Sequence, residues 1–153
     1  MEFISEHFGV LRYQPDQVIT FPEGLPAFED EREFLLIERP STAPVVFLQS
    51  LRRPGLAFIT LPAGFVEPPF QLEAAPEDLQ ALDLPAGTSP VPGPQLLCLA
   101  IVTVAEGRSP TANLMAPVVI NLRNRLARQV IVCGSPYSHR HPLVLPFGEA
   151  LCS

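Results

Sequence analysis

The chain has no lysine, few cysteines and no long hydrophobic run, and each shortage narrows what it can be. The longest apolar stretch, Leu96 to Val104, has about half the roughly 20 residues that a membrane-spanning helix needs, so it reads as a strand. The start, Met1-Glu2-Phe3-Ile4-Ser5-Glu6, is acidic where an export signal is basic and then apolar, so the expected location is the cytoplasm. Cys98, Cys133 and Cys152 are odd in number and widely spaced, without the C-x-x-C pair of a zinc or redox site. Ten basic residues stand against 16 acidic ones, a net charge of −6. That balance disfavours direct binding to nucleic acid, where affinity comes from cations releasing condensed counterions. All ten basic residues being arginine carries no functional reading.

What is present is a packed protein: 47% hydrophobic and 17% charged over 153 residues, enough for one domain with its own core. Short β-branched and aromatic runs recur between Pro, Gly, Asn and Asp, while helical periodicity is scarce. The predicted strands are Gly9 to Tyr13, Gln17 to Phe21, Phe34 to Glu38, Val45 to Ser50, Leu56 to Leu61, Leu96 to Val104, Val118 to Leu122 and Gln129 to Cys133. Several are apolar at consecutive positions, which requires cover on both faces, as in a sheet curled on itself. Pro15 and Asp16 suggest a turn between the first two runs. Leu122 to Leu126 suggests a second hairpin, with Asn124 suited to the left-handed position. One short helix is predicted from Pro76 to about Leu82, with Pro76 in its first turn and Glu77 and Asp78 at the positive end of its dipole. The 19 prolines concentrate in Pro62 to Pro69 and Pro85 to Pro94, which are therefore loops. The expected fold is all-β: a single-domain antiparallel β-barrel-like structure with one short helix, its core at about 3–145 and a short C-terminal tail.

Chemistry is sparse. Cys133 with His139 or His141 would allow a cysteine-dependent hydrolase, but no glycine-framed nucleophile turn precedes the cysteine. His139-Arg140-His141 has the form of a metal pair, yet a metal needs three or four ligands and the sequence offers only His7 besides. No catalytic residue, metal or cofactor is predicted. A small-ligand barrel is a third reading, which needs a deep apolar cavity. The segment Phe21-Pro22-Glu23-Gly24-Leu25-Pro26-Ala27-Phe28-Glu29-Asp30-Glu31 mixes acidic and apolar groups in the manner of a protein interface. A loop folded back with Leu25 and Phe28 in the core satisfies the same residues. Asn113 and Asn121 bracket an apolar strand entered near Pro117, where asparagine commonly satisfies stray backbone groups.

Taken in order, several blocks resemble the FliW family of bacterial flagellar assembly factors. They are Phe21-Pro22-Glu23-Gly24-Leu25 with Phe28-Glu29; Leu48-Gln49-Ser50 before Leu56-Ala57-Phe58; Glu77-Asp78-Leu79; Thr111-Ala112-Asn113-Leu114-Met115-Ala116-Pro117-Val118-Val119-Ile120-Asn121; Gln129-Val130-Ile131; Tyr137; and Arg140-His141-Pro142-Leu143. Ala27 stands where the family pattern has glycine, Pro69-Phe70 where it has an acidic residue and tyrosine, and Pro85 to Pro94 is an elaboration. The resemblance implies a regulatory protein without catalysis. Its implied partners are the translational repressor CsrA, whose silencing of flagellin messenger RNA it prevents, and flagellin, which competes for it. The expected protein-binding residues are Glu23, Leu25, Phe28, Glu29, Asp30, Glu31, Glu77 and Asp78. Phe21, Gly24, Gln49, Asn113, Pro117, Asn121, Tyr137, Arg140 and His141 are motif residues with an expected structural role. A monomer is expected, with neither nucleic acid nor membrane as a direct partner.

Overall fold

The computed structural model describes residues 1–87, 90–131 and 135–143. A two-stranded ribbon, β1 (Glu2–Ser5) and β2 (Gly9–Arg12), precedes the main sheet. That sheet comprises β3 (Ile19–Thr20), β4 (Glu33–Glu38), β5 (Val46–Ser50), β6 (Ala57–Pro62), β7 (Leu96–Thr103), β8 (Thr111–Asn121), β9 (Leu126–Gln129) and β10 (His141–Pro142). Its order is β10-β8-β7-β6-β5-β4-β3-β9, and β9 returns to pair with β8, closing seven strands into a barrel with β10 appended. Every pairing is antiparallel except β3 with β9, which meet in parallel through the single pair Thr20 and Leu126. The barrel is therefore mixed. Among the described residues it carries two short helices, α1 (Ala63–Val66) and α2 (Pro76–Ala81); α1 lies in a segment expected to be loop.

Consecutive apolarity has a direct cause in this architecture. One buried cluster draws Ile19, Phe34, Leu48, Leu99, Val118 and Ala127, with Phe58 against it, from every strand of the ring, so it fills the barrel interior. A second, including Leu61, Ala63, Leu72, Leu82, Cys98, Ala100, Val102, Leu114 and Val119, lies outside the same sheet beneath α1, α2 and the segment between them. Along β7, Cys98, Ala100 and Val102 face the outer cluster while Leu99 faces the inner one, as period-two geometry requires. Each fully buried aliphatic side chain contributes roughly 1.5–3 kcal/mol from desolvation, so two-sided burial stabilises the central strands twice over.

Two hairpin expectations need correction. β2 pairs with β1 and not with the following strand: Ile4 faces Val10 and Phe3 faces Leu11. Pro15–Gln17 form a single 3-10 turn that carries the chain from the ribbon to the barrel. In the late hairpin the left-handed residue is Arg125, at φ 62°, and not Asn124. Asn124 works through its side chain instead, accepting from the Leu126 N–H and donating to the Leu82 carbonyl. Of the predicted strand Gln129 to Cys133, only Gln129 is in a strand among the described residues; Cys133 lies outside them.

An acid-rimmed hollow on the barrel flank

The loop after β3 folds back. Gly24 adopts φ 67°, and a Cβ there would stand 2.5 Å from the Glu29 carbonyl oxygen, so only glycine fits. Leu25 and Phe28 close a tight turn, the Phe28 N–H donating to the Leu25 carbonyl at 2.7 Å. Its third residue, Ala27, takes φ 70°, the conformation that glycine supplies freely. The departure from the family pattern therefore leaves the turn in place. Leu25 is 2% exposed and Phe28 packs edge-on against Phe58, so these two side chains belong to the core and its margin instead of a free surface.

The acids divide in the same way. Glu23, Glu29, Asp30 and Glu77 are exposed. Glu31 is 1% exposed, accepting a hydrogen bond from Ser50 Oγ at 2.8 Å. Arg53 Nε lies 2.8 Å and Arg52 Nη1 3.8 Å from its Oε1 as charge contacts. Asp78 is also buried: one oxygen accepts the Ala75 N–H at 3.0 Å at the start of α2, and the other meets Arg128 Nε at 2.9 Å. Glu31, Leu25 and Asp78 are thus withdrawn from the surface on which they were expected.

Arg128, on β9, is the residue that sequence reasoning missed. Its guanidinium lies between Asp78 of α2 and Glu23 of the folded-back loop, 3.7 Å from the latter. Around it Pro22, Glu23, Gly24, Ala81, Ala127 and Arg128 enclose a hollow of about 250 Å³. A larger open cleft of about 720 Å³ lies at the barrel end, lined by Tyr13, Asp16, Glu33, Arg123, Asn124 and Arg125 among others. Neither is a deep apolar cavity in the barrel interior, where side chains fill the space.

The remaining motif residues brace the fold. Gln49, fully buried, accepts from Ser5 Oγ at 2.7 Å and donates toward the carbonyls of Ser50, Arg53 and Leu56, tying the ribbon to the β5–β6 turn. Asn121 Nδ2 donates to the Leu82 carbonyl at 2.9 Å and so holds α2 against the barrel. Asn113 Oδ1 accepts from the N–H groups of Met115 and Ala116, where β8 bulges before Pro117 and its register against β7 shifts. Phe21 packs edge-on to Phe34, and the Tyr137 hydroxyl accepts from the Gln71 N–H. His141 pairs with Ala112 in β10 and lies 3.5 Å from Glu67. Arg140 is exposed, its N–H donating to Ser138 Oγ.

Among the described residues, no three of His, Cys, Asp and Glu gather as a metal set. No described helix is long and apolar enough to cross a membrane. Burial pushes the Cys98 thiol up to about 12, which keeps it protonated and unreactive near neutral pH.

The comparisons agree with one another. The family model described as FliW protein matches residues 2–143. A flagellar assembly factor FliW of Natranaerobius thermophilus is 37% identical over 144 residues, covering 94% of this chain and 92% of its own length. A second, from Syntrophomonas wolfei, is 35% identical over 147 residues, covering 95% and 90%. A crystal structure of the flagellar assembly factor FliW superposes with a TM-score of 0.80 at 28% identity, covering 94% of this chain and 97% of that one. The barrel is thus the fold of a known group, and the chain belongs to the FliW family of flagellar assembly factors.

Proposed function

We propose that this chain is a cytoplasmic, non-catalytic regulator that binds the translational repressor CsrA and, in competition with it, flagellin. The single observation supporting the repressor as a partner is the acid-rimmed flank. There Glu23 is exposed, Glu77 is exposed on α2, and the guanidinium of Arg128 is already held by Asp78 and Glu23. A basic RNA-binding protein approaching a chain of net charge −6 is steered by this field. Binding there hinders its contact with RNA, by occlusion or by altered conformation. Flagellin that accumulates occupies the factor by mass action, releases the repressor and stops its own translation; export of flagellin reverses the circuit.

The test is calorimetric titration of the purified chain with purified repressor, alone and with saturating flagellin. Micromolar or tighter repressor binding that flagellin abolishes is the expected result. Absence of binding to either protein would sink the reading.

A further inference from the structure

The hollow beside Arg128 combines two properties that single out a ligand. Apart from Glu23 and Arg128, its lining is made of small groups: Gly24, Ala81, the backbone of Ala127 and the ring of Pro22. Gly24 is fixed by the fold, since it has no room for a side chain, and Ala127 turns its side chain to the barrel interior and offers only backbone to the hollow. The depression is therefore built into the architecture and does not depend on a flexible side chain standing aside.

Its rim is charged and its sign is settled. Arg128 is shared between two carboxylates, Asp78 at 2.9 Å and Glu23 at 3.7 Å, so the local balance is negative. Glu23, which lines the hollow, is 73% exposed at its side chain, and Glu77 is exposed on α2 outside the lining. An apolar floor under an acidic rim fits an apolar side chain with a cation beside it. It disfavours an acidic segment by repulsion and a purely polar one by desolvation.

We propose that this hollow anchors one apolar side chain of the basic partner, a Lys or Arg neighbouring it in the same segment engaging Glu23. The proposal rests on the reading that the chain binds the repressor, and it names where the binding energy is concentrated. A central apolar anchor within a polar rim is how protein interfaces concentrate affinity in a few residues. Filling the hollow from within should therefore cost more than altering any single rim charge.

The experiment is titration of the purified repressor into the full chain and into three variants, at two salt concentrations. Ala81→Phe fills the hollow, Ala81→Leu fills it with less bulk, and Glu23→Gln changes only the rim. Thermal melting establishes that each variant is folded, and the leucine variant carries the test if phenylalanine is not accommodated. The expected result is a loss of affinity on the order of tenfold to a hundredfold for the filled variants, with unchanged salt dependence. Glu23→Gln should lose less and show a shallower salt dependence. Wild-type affinity in folded Ala81→Phe and Ala81→Leu overturns the anchor while leaving the functional reading standing. Failure of the wild-type chain to bind the repressor removes both.

Discussion

Ala27 and Gly24 solve the same backbone problem with different side chains, and the difference is measurable. Both have positive φ, at 70° and 67°, but only Gly24 also lies against backbone, that of Glu29. Gly24→Ala should lower unfolding free energy by about 2 kcal/mol or more, combining left-handed strain with a clash that backbone cannot relieve. Ala27→Gly should raise it by roughly 0.5–1 kcal/mol, the strain relieved less the extra freedom of the unfolded chain. Urea denaturation of both variants checks the pair. The turn was legible from Pro22 and Gly24. The burial of Glu31 was not, since its partners Ser50 and Arg53 come from a different hairpin.

Cys98 gives a pH prediction at the same scale. Burial raises its pKa from 9.0 to about 12, so its contribution to stability is complete below pH 9. Above pH 9 the unfolded chain loses the proton first, and stability falls progressively until the folded pKa is reached. Denaturation of wild type and Cys98→Ala across pH 8 to about 11 should show a steeper loss in the wild type, the difference being the Cys98 contribution.

Among the elements, most strands could be read from their apolar runs, but their partners could not. β1 is Glu-Phe-Ile-Ser and β10 is His-Pro, too short and too polar to stand out as strands. Each exists because another strand offers its edge. α2 illustrates the same dependence. At 6 residues it is too short to persist alone, and it is held at its start by Asp78 and at its end by Asn121 and Asn124, which both donate to the Leu82 carbonyl. Asn121→Ala should leave the barrel folded while amides from Glu77 to Leu82 exchange faster, at a cost of about 1–2 kcal/mol. Hydrogen-exchange mass spectrometry on peptides covering α2 checks this.

At the level of the whole molecule, charge and curvature divide the work. The two-faced strands announced a curled sheet, and the acids of the loop and of α2 could be picked out one by one. Their convergence could not, because it depends on Arg128, whose strand is distant in sequence from both. The repressor binding proposed for this face should weaken as ionic strength rises from about 50 to 300 mM, chiefly through a slower association rate. Stopped-flow measurements at several salt concentrations test it, and a salt-independent rate would contradict electrostatic steering. None of the described residues of the elaborated stretch from Pro85 to Pro94 lines the hollow.

The ring closes between β3 and β9 through one residue pair, and it is in effect a bracelet with a short clasp. Breathing of such a hoop begins at its weakest joint, and here Pro22–Gly24 and Arg128 hang from the two sides of that joint. A protein seated between them straddles the clasp and fastens it. The amide of Thr20, which donates to the Arg125 carbonyl across the gap at 2.8 Å, is the natural reporter, and its exchange should slow when the repressor is bound.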